Sequence, residues 1–196
     1  MGSSIYFKYL PDHDFGGKKV LNLGCGFAKY KAKNVVNVDA FDVCKPNVVW
    51  DLNKAPLPFK ENTFDLILAN HIFEHLPNWW QCFEDCGRIL KVGGKIEVYI
   101  PGSGSDTQLG YRDHVHVVNH FSFYGIGNNL RNGTNAWAAG QEQSWAARLH
   151  CIGQMRATEK KWWIRKCPQW LQLWMANHLR NVVFEEGFFF EKRMAT

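Results

Sequence analysis

Short, mostly apolar runs alternate with turn residues through the first half of the chain, and each run is followed by a glycine or a polar residue. The runs occupy residues 19–23, 35–38, 48–50 and 64–68. Such runs are typical of parallel strands that are buried on both faces. Ligands of open α/β sheets bind beyond the carboxyl ends of these strands. The residues that follow each run are therefore the first candidates for a binding site.

A helix and a fifth strand follow. Apolar positions recur at the spacing of one buried helical face: Trp79, Phe83, Cys86 and Leu90. With Asn78 placed to cap the N-terminus, a helix is predicted over 78–90, and Gly93-Gly94 is expected to stop it. A further strand is predicted over 95–99. Four or five strands that alternate with helical or turn segments predict a doubly wound α/β sheet.

The second half of the chain is less regular. Helices are predicted over 122–130 and over 142–181, the latter broken near Pro168. Residues 181–191 hold two apolar runs around Glu185-Glu186-Gly187. This pattern predicts a terminal hairpin, and a helix end followed by one strand fits nearly as well.

Length and composition fit a single domain over 1–196. The chain is 46% hydrophobic, and 23 basic against 18 acidic residues give a net charge of +5, which requires neither a nucleic-acid nor a membrane partner. No apolar stretch reaches the roughly 18 to 20 residues of a membrane helix, and the N-terminus lacks a signal core, so we expect a soluble cytoplasmic protein. The expected parts are a core over 19–101, a covering region over 102–180 and a terminal strand or hairpin over 181–196.

Tryptophan and cysteine leave alternatives open. Six of the nine tryptophans lie in the second half, among them Trp162, Trp163, Trp170 and Trp174. Core or oligomer packing is the favoured role; an aromatic cap over an acceptor, a membrane surface and stacking on nucleic-acid bases are the alternatives. The six cysteines form no C-x-x-C pair, which favours reduced core cysteines over a metal site.

Gly24-Cys25-Gly26 directly follows the first apolar run. Glycines at such a turn let a ligand approach the backbone closely. A dinucleotide fingerprint needs a third glycine at position 29, where this chain has Lys29, and no phosphate-binding G-K-[ST] follows. The turn therefore suits an adenosyl ligand without phosphates.

Two aspartates end the second and third runs. Asp39 can accept hydrogen bonds from vicinal ribose hydroxyls, and Asp51 with Leu52 can hold an adenine. Either aspartate can instead cap the turn after its strand. For one aspartate alone, the capping role is the favoured interpretation.

Six segments occur in order: Leu21–Gly26, Val36–Asp39, Asp51–Phe59, Asn62–Ile67, Phe73–Leu76 and Arg88–Lys95. Together they closely resemble the class I S-adenosylmethionine-dependent methyltransferases, in the subgroup whose fourth strand is followed by Glu-His-Leu. The resemblance covers residues 19–101. It implies a Rossmann-like, mostly parallel, seven-stranded type of sheet, here with a helical, Trp-rich covering region, and S-adenosyl-L-methionine as cofactor.

The resemblance also implies a set of cofactor-binding residues: Leu23, Gly24, Cys25, Gly26, Asp39, Ala40, Phe41, Asp51, Leu52, Asn70 and His71. The glycine turn would line the methionine and ribose portions, and Asp39 would hold the ribose. Ala40 and Phe41 would border the adenine. Asn70 would meet the methionine part, with His71 beside the methyl group.

Three histidines are the catalytic candidates: His114, His75 and His71. Methyl transfer is a direct displacement that needs alignment and exclusion of water, and a hydroxyl acceptor also needs a base. The Asp113-His114 pair resembles one that faces the substrate in such enzymes, so His114 is the preferred base, although a plain surface-loop histidine is as good an interpretation. His75 is expected to be structural.

Two histidine patterns raise the question of a metal. His71-x-x-Glu74-His75 matches the H-x-x-E-H zinc-peptidase signature, but a strand end near Ala69 and the following Pro77 leave no room for the rigid helix such a site needs. His114, His116 and His120 do not share one spacing. We expect no metal site.

The expected function is methyl transfer to a small-molecule or glycan acceptor. A nucleic-acid or protein acceptor is the alternative. A zinc peptidase and a non-catalytic adenosyl-binding protein are more remote ones.

Overall fold

The computed structural model describes residues 9–123, 148–158, 166–179 and 183–194. Seven strands form one sheet in the order β3-β2-β1-β4-β5-β7-β6. The strands are β1 Val20–Leu23, β2 Val35–Asp39, β3 Val48–Val49, β4 Phe64–Asn70, β5 Leu90–Pro101, β6 Leu149–Thr158 and β7 Val183–Lys192. β1 to β5 pair in parallel, whereas β7 lies antiparallel between β5 and β6. The predicted mostly parallel, seven-stranded Rossmann-like sheet is confirmed.

Three helices accompany the sheet in the described part of the chain: α1 Trp79–Ile89, α2 Asp106–Gly110 and α3 Gln169–His178. α1 packs on one face of the sheet, where Phe83 and Cys86 are completely buried. The ring of Phe83 contacts the rings of Phe123 and Phe190. The predicted apolar face of this helix therefore anchors α1 to β7 as well as to the parallel strands.

The crossover from β1 to β2 contains no helix. The buried side chain of Asn37 organises it instead: its amide oxygen accepts from Tyr30 N at 3.2 Å and from Asn22 Nδ2 at 3.0 Å, and its nitrogen donates to Tyr30 O at 2.9 Å. Tyr30 packs with Phe15 and Tyr9 against this face of the sheet. Aromatic side chains thus cover the strands where a crossover helix would otherwise lie.

Helix and strand boundaries around α1 differ from the prediction. Asn78 occupies the N-cap position, but its side chain makes no capping bond and instead donates to Asn53 O at 3.4 Å. The helix ends at Ile89, before Gly93-Gly94, and β5 starts immediately after it. The two glycines lie inside the strand, next to a register shift in the β4–β5 pairing.

The helical prediction over 142–181 is wrong for its first part. Residues of β6 form a strand because they pair along the length of β7, and such long-range pairing overrides local helix propensity. Helix α3 confirms the part after Pro168. The terminal hairpin is also wrong, since β7 is one continuous strand, and the alternative of a helix end followed by one strand is correct.

Ser122 lies in a short 3₁₀ turn, His120–Phe123, and not at the start of a described helix. The rest of the predicted helix over 122–130 lies outside the described residues, as do Trp162 and Trp163. Trp170 and Trp174 of α3 are 69% and 49% exposed, so core packing is wrong for this pair. Oligomer packing through them stays a prediction.

Replacing Asn37 tests whether its side chain substitutes for the missing helix. We expect Asn37→Ala to lower the free energy of unfolding by about 2 to 4 kcal/mol, because several buried polar groups lose their partners. Urea unfolding measures the change, with the exposed Lys33→Ala in the same connection as control, expected within about 0.5 kcal/mol of the unmodified protein. Equal stability of the two variants would contradict this role.

Candidate active site

A cleft of about 510 Å³ opens at the carboxyl edge of the sheet. Seven of the predicted site residues line it: Gly24, Cys25, Gly26, Asn70, His71, His75 and His114. Its walls come from the turn after β1, the end of β4 and the segment around α2. The edge that the strand pattern predicted is therefore the edge that carries the cleft.

The glycine turn forms one wall. Gly24 and Gly26 have φ angles of 59° and 50°, a left-handed conformation that favours glycine. A Cβ on Gly24 would lie 2.4 Å from Cδ1 of Ile72, so packing inside the wall requires that glycine. A Cβ on Gly26 would meet no atom within 4 Å, so Gly26 leaves its backbone open to the cleft.

Asp39 holds the turn in place. Its Oδ2 accepts from Gly26 N at 2.7 Å, and its Oδ1 accepts from Phe41 N at 2.9 Å. A carboxylate has about four lone-pair sites, so each oxygen keeps acceptor capacity for a ligand. The two roles considered for this aspartate are therefore compatible in one side chain.

Asp39 itself does not line the cleft, and neither do five other predicted cofactor residues: Leu23, Ala40, Phe41, Asp51 and Leu52. Leu23 and Leu52 are buried in the core, whereas Phe41 is 68% exposed. Asp51 Oδ1 accepts from the backbone and side-chain nitrogens of Asn53 at 3.0 and 3.2 Å, which is the turn-capping role. Contact of these five residues with an adenine stays a prediction.

His71 links three elements at the end of β4. Its Nε2 lies 3.0 Å from Glu185 Oε2 on β7, and its Nδ1 lies 3.4 Å from Glu74 Oε1. Burial of the ring lowers the pKa of His71, but the bonds to Glu185 and Glu74 outweigh it and raise this pKa to about 9. A ring that is protonated near neutral pH has no lone pair for an incoming proton, so His71 does not fit the role of a base.

His75 and His114 meet across the cleft, with their ring centroids 4.7 Å apart. His75 Nδ1 lies 3.0 Å from Asp113 O, and His114 Nδ1 lies 3.2 Å from Gln108 O. A carbonyl oxygen only accepts, so both Nδ1 atoms are donors. In the neutral rings, each Nε2 therefore carries a free lone pair.

Glu74, which the sequence analysis considered only as part of the H-x-x-E-H pattern, also lines the cleft. Its side chain is completely buried, and neither carboxylate oxygen has a hydrogen-bond partner among the described residues. Donor atoms of Glu74, His75 and His114 all lie within 4.8 Å of one another, as in sites that hold metal ions. His71, the other member of the H-x-x-E-H motif, is bonded to Glu185 instead, and the motif lies on a 3₁₀ turn, Phe73–His75, with no long helix.

Comparison with known proteins identifies the fold and the core. Residues 21–98 match the family model described as a methyltransferase domain. This part of the chain is therefore similar to the core of the class I S-adenosylmethionine-dependent methyltransferases. Assignment of this methyltransferase core to the Glu-His-Leu subgroup stays a prediction.

Two curated relatives share part of the methyltransferase core. The sterol 4-C-methyltransferase of Caenorhabditis elegans is 28% identical over 124 residues, which are 63% of this chain and 36% of that protein. An uncharacterized protein of Methanocaldococcus jannaschii is 34% identical over 95 residues, which are 44% of this chain and 42% of that protein. The chain spans less than half the length of either relative.

A solved structure shows the same fold. A S-adenosylmethionine-dependent methyltransferase from Archaeoglobus fulgidus superposes with a TM-score of 0.60 at 15% identity, over 90% of this chain and 87% of that one.

Within the described residues, no helix is both long enough and apolar enough to span a bilayer.

The cleft fits S-adenosylmethionine, the cofactor of this family. Its volume lies within the range of roughly 300 to 1,000 Å³ that is usual for small-molecule sites. Gly26 presents open backbone and Asp39 lies behind it. Among the described residues, the lining contains no lysine or arginine that would bind a phosphate. These features match a phosphate-free adenosyl ligand.

The raised pKa of His71 gives a testable pH dependence. In metal-free protein we expect an NMR titration of this ring to give a pKa of about 9, against 6.5 when unfolded. The interaction of protonated His71 with Glu185 and Glu74 then stabilises the fold fully below pH 6.5. This stabilisation is lost as the pH rises through 9.

Glu185→Gln should lower the pKa of His71. The free energy of unfolding should then decrease less between neutral and alkaline pH than it does in the unmodified protein. Glu186→Gln on the same strand, where the carboxylate accepts from Ser103 Oγ at 3.1 Å, is the matched control and should leave both unchanged. Identical titration curves for the two variants would show that Glu185 does not hold His71.

Proposed function

We propose that the protein transfers a methyl group from S-adenosylmethionine to a small-molecule or glycan acceptor. The observation that carries this proposal is the continuity of one cleft from the glycine turn to His75 and His114. The cofactor side and the acceptor side are thus parts of a single space. Direct displacement requires that arrangement, because donor and acceptor must meet without an intervening enzyme group.

The bound cofactor supplies an electrophilic methyl group on a positively charged sulfur. The chain itself aligns the two reactants and excludes water from them. Asp39 and Gly26 would support the ribose and Asn70 would contact the methionine part, while Tyr111 and Thr107 line the same cleft. Alignment of this kind supplies a large part of the rate in reactions that need no covalent enzyme intermediate.

The acceptor side offers nitrogen lone pairs for a hydroxyl. Nε2 of His114 and Nε2 of His75 are free of the bonds that occupy the opposite ring nitrogens. Either can take a proton or hold an ion that lowers the pKa of the hydroxyl. His71 serves instead as a positioning residue, because its ring is held between two carboxylates.

A small acceptor is favoured over a macromolecule by the shape and charge of the site. The acceptor side is a cleft lined by imidazole, phenol and carboxylate groups, and the described part of the chain contributes no lysine or arginine to it. A nucleic acid is bound chiefly through basic side chains that contact phosphates. The C. elegans relative is named for methylation of a sterol, which also supports a small-molecule acceptor.

Calorimetric titration with S-adenosylhomocysteine tests the cofactor half of the proposal. We expect one binding site per chain, and an affinity at least about tenfold lower in Asp39→Ala because a charge-assisted contact is lost. Asp42→Ala, an exposed carboxylate three residues along, is the matched control and should bind as the unmodified protein does.

Asp39→Asn separates ligand contact from support of the turn, because an amide oxygen still accepts one backbone bond. Thermal unfolding shows whether each variant is folded. Failure of the folded, unmodified protein to bind S-adenosylhomocysteine would overturn the proposed function. Unchanged binding in both Asp39 variants would remove Asp39 from the site.

A further inference from the structure

We propose that Glu74, His75 and His114 bind one divalent first-row transition-metal ion, and that its open coordination positions take a hydroxyl oxygen of the methyl acceptor. The metal site stands on the geometry of the three side chains. Its use in binding the acceptor rests on the proposed function. The metal site and its role in binding the acceptor are therefore tested by separate measurements.

The three side chains offer a suitable donor set. Two imidazole nitrogens and one carboxylate converge with all donor atoms within 4.8 Å of one another. Bonds of about 2 Å to a zinc ion place its ligand atoms roughly 3 to 4 Å apart, so a closing movement of about 1 Å completes the site. Imidazole ligands favour zinc, iron and related transition ions over magnesium or calcium.

Both histidines are oriented as metal ligands are. A ligating histidine almost always donates its other ring nitrogen to a carbonyl or a carboxylate, which fixes the tautomer. His75 does so to Asp113 O at 3.0 Å, and His114 does so to Gln108 O at 3.2 Å. Nε2 is therefore the ring nitrogen that each neutral histidine can offer to an ion.

Glu74 points independently to a bound cation. Its side chain has 0% exposure, and both oxygens lack a hydrogen-bond partner among the described residues. The ion pair with His71 offsets part of the cost of burying this carboxylate, and coordination of a metal ion would offset more of it. The contact of 3.4 Å with His71 Nδ1 leaves the acceptor capacity of the carboxylate largely unused.

The two halves of the site are fastened together by bonds that use none of the proposed ligand atoms. Glu74 O accepts from Val115 N at 2.9 Å and from His116 N at 3.2 Å. Nε2 of His116 lies 3.1 Å from Pro77 O, a further bond between the same two segments. The loop that carries His114 is thus held against the turn that carries Glu74 and His75, so the donors are positioned before an ion arrives.

The location explains what the ion would do. All three side chains line the cleft of the glycine turn, and Tyr111 stacks on the ring of His114 with centroids 5.1 Å apart. Three protein ligands leave positions open, as in catalytic rather than structural metal sites. A hydroxyl oxygen on an open position would release its proton to solvent water more easily. Its lone pair would then form the bond to the methyl carbon as the carbon–sulfur bond of the donor breaks, which leaves a neutral thioether.

Metal binding is measured on the full chain after treatment with a chelator and dialysis. In a titration with Co²⁺, the visible ligand-field absorption should stop increasing at one equivalent of Co²⁺ per chain. Calorimetry with Zn²⁺ should give one site per chain. His114→Gln and Glu74→Gln should each weaken the Zn²⁺ affinity at least about tenfold. His178→Gln, an exposed histidine of α3 outside the donor set, should bind Zn²⁺ as the unmodified protein does.

Binding of S-adenosylhomocysteine, measured on the same samples, shows that each variant is folded and separates the two proposals. Absence of stoichiometric metal in unmodified protein that binds the cofactor product overturns the metal site and leaves the proposed function standing. Equal Zn²⁺ affinity in His114→Gln, Glu74→Gln and the unmodified protein also overturns it. Metal bound without any binding of S-adenosylhomocysteine keeps the site and overturns the proposed function together with the use of the ion in methyl transfer.

The use of the ion is tested with a panel of hydroxyl-bearing acceptors. We expect methyl transfer to be lost in chelated protein and restored by Zn²⁺, Mn²⁺ or Co²⁺, and the metal-bound protein should show an altered Co²⁺ spectrum when an accepted compound is added. Turnover that is equal in chelated and metal-loaded protein would overturn this use.

Discussion

The ring of His71 lies between two carboxylates from distant parts of the chain, and the wall of the cleft depends on this contact. Glu185 reaches it from β7, and Glu74 reaches it from the 3₁₀ turn after β4. The backbone of His71 has a φ of 49°, a conformation that non-glycine residues adopt only when their surroundings hold them there. The antiparallel strand β7 therefore does more than complete the sheet, because it fixes the direction in which the end of β4 leaves it.

The orientation of Glu74 follows from that arrangement. Its backbone oxygen binds the loop after α2, its side chain faces the cleft, and the neighbouring His75 binds the same loop. One short turn thus joins the end of a central strand to the segment that covers the site. A change at either carboxylate partner of His71 is felt at the acceptor side of the cleft, although Glu185 does not line it.

The parts of this architecture that sequence could predict are those with local signals. The apolar runs of β1, β2 and β4 are short, buried on both faces and followed by glycine, aspartate or asparagine, and the face of α1 repeats at helical spacing. β6 has no such signal, and the apolar runs of β7 predict a strand but not its neighbours, because these strands are held by pairing between residues that are far apart in sequence. Glu185 was missed for that reason. The grouping of Glu74 with His114 was missed because it requires the loop after α2 to return to the turn after β4, while the local H-x-x-E-H pattern pointed to His71.

The crossover that Asn37 and Tyr30 organise also bears on how strongly the site would bind the cofactor relative to its product. Nucleotide sites commonly place a helix N-terminus, with its partial positive charge, beside the glycine turn. Here the turn leads into an irregular segment with no helix before β2. A cationic sulfonium would therefore meet no repulsion from a helix N-terminus in this crossover. The neutral thioether left after transfer would be unaffected, because it carries no charge. If the protein acts as proposed, omission of this helix would favour binding of the charged reactant over the uncharged product.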